Sequence, residues 1–233
     1  MNAALLRGLS AAALAPLLCS AAPISQGGDG SVQPLPPSIS RRSSGSSLAA
    51  FHGSIAEPLS SLIAKGESSS AGGYDAANNG QAMDLGSSGI VRVFGRKADQ
   101  VSVAEILAAQ AQRLIHAVGR YQIIGSTLQQ LVDQRCITAA QLFSTAVQDQ
   151  AFLCLIQDKR PAVWRFITTG DGLSQAADAL SMEWASMPYR NGRTFYSNGS
   201  DRAHATRADL LAALEACRQR YRNRNPEAHF HLA

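Results

Sequence analysis

Ala117-Val118-Gly119-Arg120-Tyr121-Gln122-Ile123-Ile124 interrupts a chain that reads as helix on both sides. Gly119 ends the helical period, since glycine adopts conformations that break a helix and lets main chain approach a neighbour or a ligand closely. Upstream, Ser102 followed by Glu105 is a capping-box pattern. Val103, Ile106, Leu107, Leu114 and Ile115 continue that helix's apolar face. Downstream, Ser126 or Thr127 precedes a helix carrying Leu128, Leu131 and Val132. Residues 138–158 hold Leu142, Phe143, Val147, Phe152, Leu155 and Ile156 at helical spacing and predict one long helix. Residues 171–185 predict another, broken at Pro188, and residues 203–221 a last one with Leu210, Leu211, Leu214 and Cys217 on one face.

The folded part is expected to begin near Ile55. Ile55, Leu59, Leu62 and Ile63 share one helical face, and Pro58 suits a first turn. That helix runs out at Gly66, just before Glu67. Residues 68–95 are rich in Gly, Ser and Asn and lack a helical period, and residues 90–94 read as a short strand. The fold class is therefore mainly α, a helical lobe plus a small irregular or β-hairpin lobe with a cleft between them.

The chain has 233 residues, 45% hydrophobic and 16% charged, enough apolar material for a sizeable core and too little charge for a wholly disordered chain. Beyond the N-terminus no apolar run reaches the roughly 18–20 residues of a spanning helix, so stable membrane insertion is not expected. The balance of 21 basic to 17 acidic residues gives +4. That mild positive charge suits an anionic partner such as a wall polymer, and suits many proteins without one equally well. Apart from Arg218, Arg220, Arg222 and Arg224 the basic residues are dispersed, with no aromatic-interleaved stripe, so no nucleic-acid partner is expected.

Residues 1–22 read as a signal peptide: Arg7 in the n-region, an apolar core over 11–18, and small Ser20, Ala21 and Ala22 at the cleavage position. This places the mature protein in the periplasm or outside the cell. Residues 23–50 read as a disordered linker, sixteen of the 28 being Pro, Gly or Ser. Residues 51–222 form the domain and 223–233 a tail. Cys136, Cys154 and Cys217 remain after signal removal. If 138–158 is one helix, Cys154 lies about 24 Å along it. A bridge requires Cα atoms within about 7 Å, so any disulfide is expected to use Cys217, with three free thiols as the alternative. No Cys or His pair has metal-ligand spacing, and no metal is expected.

Three stretches carry candidate chemistry. Glu67 ends the first helix and leads into a polar loop, where a carboxyl can face a cleft. Glycosidic cleavage needs a carboxylic acid to protonate the leaving oxygen, and partial burial beside apolar groups keeps that acid protonated. Tyr121 and Gln122 in the glycine break offer a hydroxyl and an amide, suited to a sugar's hydroxyl and acetamido groups. Glu183-Trp184-Ala185-Ser186-Met187-Pro188-Tyr189 precedes a Gly/Asn-rich stretch. There Trp184 either stacks on a pyranose ring or fills the core.

Together, Gly66-Glu67-Ser68, Gly73-Tyr74-Asp75, the 117–124 stretch and Trp184-Ala185-Ser186-Met187-Pro188 resemble the phage lambda endolysin family of the lysozyme-like superfamily, over residues 58–220. Glu-Ser followed by a later Gly-x-x-Gln is also similar to soluble lytic transglycosylases. The resemblance implies a lysozyme-like α+β fold and cleavage of the β-1,4 bond between N-acetylmuramic acid and N-acetylglucosamine in peptidoglycan glycan strands. It implies Glu67 as the catalytic acid, Tyr74, Tyr121, Gln122 and Trp184 as substrate-binding residues, and no metal or organic cofactor. In the lambda type the single Glu acts as acid and then as base, leaving a 1,6-anhydro product.

A hydrolytic muramidase would need a second carboxylate, for which Asp75 and Asp84 are the candidates; Asp in a Gly/Asn-rich loop otherwise braces turns. A non-catalytic peptidoglycan-binding protein on the same fold is a further alternative. The lambda endolysin acts from the cytoplasm, whereas this chain reads as exported. That favours wall remodelling or delivery to a rival's wall, with an immunity or secretion partner left open.

Overall fold

Helix α1 (Ser43–Glu67) is the longest element of the computed structural model, which describes residues 43–81, 83–196 and 203–226, with side chains from residue 51. The signal read over 1–22, the linker up to residue 42 and the tail beyond residue 226 lie outside the described residues. The last eight linker residues are helical, not coil, and Pro58 stands inside α1 rather than in its first turn. A proline there removes one N–H and frees the carbonyl four residues back. That carbonyl belongs to Ser54, and Arg220 Nη1 donates to it at 3.0 Å. An external donor thus satisfies the break and α1 continues.

The helices that follow are α2 (Gly89–Phe94), α3 (Val103–Ala111), α4 (Gly125–Asp133), α5 (Thr145–Cys154), α6 (Pro161–Thr169), α7 (Leu173–Ser181) and α8 (Arg207–Arg224). Strands β1 (Ala77–Asn78), β2 (Ala117–Val118) and β3 (Ile123–Ile124) form an antiparallel sheet in the order β1-β2-β3. Ala77 pairs with Val118, and Val118 with Ile123. The fold is mainly helical with this small sheet, as the sequence predicts. Residues 90–94 are helix α2, not a strand. Ile90 is buried and Val93 and Phe94 pack on the core, a three-and-four spacing that a helix satisfies and a strand does not.

The capping box at the start of α3 is present: Ser102 Oγ accepts from Glu105 N, and Glu105 accepts from Ser102 N. The long helix expected over 138–158 is not. Residues 139–143 run back along the start of α3, with Val103 N donating to Gln141 O and Phe143 N to Val101 O. Helix α5 begins only after Ser144, whose hydroxyl caps it. This reversal folds Cys154 back onto Cys136, their Cα atoms 6.4 Å apart, and the two form a disulfide. The expectation that a bridge would use Cys217 fails because it assumed a straight helix. Cys217 is free and buried, and burial pushes its thiol up to about 12.

Helix α1 packs along α8. Ile55, Leu59 and Ile63 belong to the same buried core as Leu210, Leu214 and Cys217. Tyr121 stacks on Phe152 (ring centroids 4.7 Å apart), which is tilted against Trp184. Burying a side chain such as Phe152 stabilises by roughly 1.5–3 kcal/mol relative to exposure. This aromatic stack supports the turn between β2 and β3 from below.

Candidate active site

The end of α1 delivers Glu67 half-buried. Its Oε1 accepts from Ser186 N at 3.2 Å. The next residue, Ser68, is buried, and its hydroxyl donates to Arg120 O at 2.8 Å. One dipeptide is thus tied to two segments distant in sequence. Gly66 makes this possible: a Cβ there would stand 2.6 Å from Ser186 Cβ, so only glycine lets the helix end approach this closely.

The turn between β2 and β3 is built around Gly119 at φ 76°. A Cβ at this position would meet Gln148 Oε1 at 2.3 Å. Gln148 lies on α5 and is fully buried. Its Oε1 accepts from Arg120 N at 2.8 Å, and its Nε2 donates to Tyr74 O and Phe143 O, each at 3.0 Å. One amide thereby fixes the hairpin turn, the 73–75 segment and the approach to α5. Gln122, half-buried at φ 47°, donates to Gly119 O and accepts from Asn78 Nδ2 at 2.6 Å.

Beside Gln148, Asp149 accepts from two tyrosines. Tyr74 Oη donates to Oδ1 at 2.9 Å, and Tyr121 Oη to the same oxygen at 2.8 Å. Burial first, and the Asp149 charge second, push the Tyr74 hydroxyl up to about 12 and raise Tyr121 further still. Both remain neutral donors. The Arg120 guanidinium lies over the Tyr74 ring, 5.0 Å from its centroid, and 5.9 Å from that of Tyr121.

The third wall is the segment after α7. Trp184 Nε1 donates to Tyr121 O at 3.0 Å. Glu183, half-buried with its side chain 6% exposed, is paired with Lys159 (2.7 Å) and Arg160 (2.8 Å), which end the π-helical turn Leu155–Lys159 and follow it. Buried Asp178 holds Arg190 and Arg207. Ser181 Oγ and Arg207 Nη1 both donate to Pro188 O. These contacts hold Ser186 where its N–H meets Glu67.

The structure thus brings Glu67, Tyr74, Tyr121, Gln122 and Trp184 into one connected region. Of the two settings open for Trp184, the ring fills the core, and the Tyr121 ring is buried beside it. At 2% and 4% exposure both face the core, because the aromatic stack with Phe152 buries them. Tyr74 and Gln122 are half-exposed. Asp75 accepts from Ala98 N, and Asp84 accepts from Asn79 N and Gln81 N, so both brace loops. Sequence reading missed Gln148 and Asp149. The one signal is spacing: Gln148 falls three and four positions before Ala151 and Phe152, on the buried face of α5. Ser68 and Ser186 stand inside the quoted Gly66-Glu67-Ser68 and Trp184-Ala185-Ser186-Met187-Pro188 stretches, but sequence reading assigned neither a role of its own.

A cavity of about 400 Å³ lies between α1 and α8, lined by Leu62, Lys65, Gly66, His204 and Asp209 among others. It touches Gly66 but not Glu67, Tyr74 or Gln122. Among the described residues no three His, Cys, Asp or Glu side chains converge as a metal site. A family model described as Endolysin matches residues 59–215. No curated protein and no solved structure matches the chain significantly.

Proposed function

From the premise that the chain belongs to the Endolysin family of cell-wall-lytic, peptidoglycan-cleaving enzymes, we propose that it is a lytic transglycosylase acting through Glu67 alone. The Glu67 carboxyl donates its proton to the glycosidic oxygen as the bond from muramoyl C1 breaks. The resulting carboxylate takes the proton of the muramoyl C6 hydroxyl. The C6 oxygen then bonds C1, closing a 1,6-anhydro ring without consuming water.

The observation carrying this reading is the convergence of two sequence-distant segments on one helix end and on each other. Ser186 donates to Glu67, Ser68 to Arg120, and Trp184 to Tyr121. Glu67 stands half-buried where α1 ends and the polar loop begins. The engagement of Asp75, Asp84 and Asp149 with backbone N–H groups or tyrosine hydroxyls supports a single-carboxylate mechanism over hydrolysis. Half-exposed Tyr74 and Gln122 take the role of holding sugar, with Tyr121 and Trp184 as positioning residues beneath them.

We further read residues 1–22 as an export signal. The Cys136–Cys154 bridge supports an oxidising compartment. N-terminal sequencing of the protein recovered outside the cytoplasm tests this: a start within residues 20–24 agrees, and an intact Met1 contradicts it. The mechanism is tested by mass spectrometry of sacculi digested with the mature protein. Anhydro-muramic ends are expected. Reducing muramic ends mean a hydrolase, and no soluble fragment means a binding protein.

A further inference from the structure

We propose that Arg120 reads negative charge on the glycan strand, selecting strands that carry carboxylates over uncharged N-acetylglucosamine polymers. The inference rests on the wall-cleaving reading and names the substrate class of that site.

Arg120 is fixed at both ends of its backbone: its N–H donates to Gln148 and its carbonyl accepts from Ser68, the chain neighbour of Glu67. Its side chain is held as well, the guanidinium lying over the Tyr74 ring. Stacking orients the planar fork in advance, so less freedom is lost when it binds an anion. Six basic side chains form ion pairs among the described residues, namely Arg96, Lys159, Arg160, Arg190, Arg207 and Arg220. Arg120 forms none of these pairs. Its Nε is buried with no hydrogen-bond partner among the described residues.

Glu57 contributes to the field around it. Asp149 is engaged by the Tyr74 and Tyr121 hydroxyls, and Glu57 is paired with Arg220. The half-exposed Arg120, preorganised, one hydrogen bond from the residue next to Glu67 and without a carboxylate partner among the described residues, suits a carboxylate brought by the ligand. A guanidinium binds such a group through two parallel N–H donors. Muramic acid supplies one on its lactyl ether, and stem peptides supply others. An N-acetylglucosamine polymer supplies none.

The test measures binding of three probes to the full chain by calorimetry: tetra-N-acetylchitotetraose, a muramic-acid-containing tetrasaccharide with free lactyl carboxylates, and the same tetrasaccharide carrying stem peptides. The wild type should bind at least one anionic probe about tenfold more tightly than the neutral one, in line with a charge-assisted contact. That preference should weaken between about 50 and about 500 mM salt. Preference for the free-lactyl probe identifies the lactyl carboxylate, and preference only for the peptide-bearing probe identifies the stem. Arg120→Gln should abolish the preference, the anionic probe losing about tenfold more affinity than the neutral one, and Arg120→Lys should restore part of it.

A wild type without preference overturns the proposal even if the variants fail to fold, as does a preference that survives Arg120→Gln. A wild type that shows the preference but releases nothing from sacculi overturns the wall-cleaving reading and not the assignment of Arg120. Release without preference does the reverse.

Discussion

Replacing Gln148 by leucine tests whether one buried amide holds the site together. Leucine nearly matches glutamine in volume, so the change removes hydrogen bonds and leaves little cavity. Three bonds are lost: from Arg120 N, to Tyr74 O and to Phe143 O. Phe143 O is fully buried and loses a partner at about 1–3 kcal/mol; the other two bonds are partly buried and count for about 0.5–1.5 kcal/mol each. Burying leucine instead of an amide offsets part of this, leaving a net loss of about 2–4 kcal/mol. For a chain of this size that lowers Tm by roughly 4–16 °C. Urea denaturation gives the free energy directly, provided the m-value is unchanged. Gln148→Glu keeps an acceptor for Arg120 N, loses both donor bonds and adds a buried charge, so it should be at least as destabilising. A Gln148→Leu variant within about 0.5 kcal/mol of wild type, the range of neutral surface changes, would refute the role given to this amide.

Three further outcomes follow from the same contacts. Tyr74 ionises near 10.0 when unfolded but only near 12 in the fold, so its contribution to stability is complete below pH 10 and is lost as the pH rises through 12. Ultraviolet titration should show late-ionising tyrosines among the five in the chain, one fewer in Tyr74→Phe, and an unchanged curve in that variant would count against the Asp149 clasp. Reducing the Cys136–Cys154 bridge, which spans 18 residues, should cost about 3 kcal/mol and lower Tm by roughly 6–12 °C; identical melting with and without reductant would show that the bridge does not constrain the fold. Glu183→Gln leaves Lys159 and Arg160 without their carboxylate and should destabilise by about 3–5 kcal/mol in chemical denaturation; a loss under about 1 kcal/mol, as for a surface pair, would rule out its anchoring role.

The helices were legible where periodicity and caps agree, as at Ser102 with Glu105 or the apolar face of α8. Reading failed where tertiary partners override local pattern. Arg220 carries α1 through Pro58, and pairing with the start of α3 splits residues 138–158 and creates the disulfide. In the site, Glu67 and the glycine turn were visible because helix ends and glycines mark themselves in sequence. Whether Tyr121 and Trp184 face sugar or core was not visible, since aromatic residues read alike in both settings. Asp149 escaped notice because its role depends on two tyrosines 75 and 28 residues away.

The release of soluble fragments from sacculi by wild type and Glu67→Gln, run beside pelleting on the same sacculi, is the most direct measurement. Glutamine keeps the acceptor for Ser186 N but cannot supply the proton. Release should fall by at least about 10²–10⁴-fold, the contribution of acid catalysis, while pelleting and melting stay near wild type. Release within a few-fold of wild type would place the proton donor on another residue.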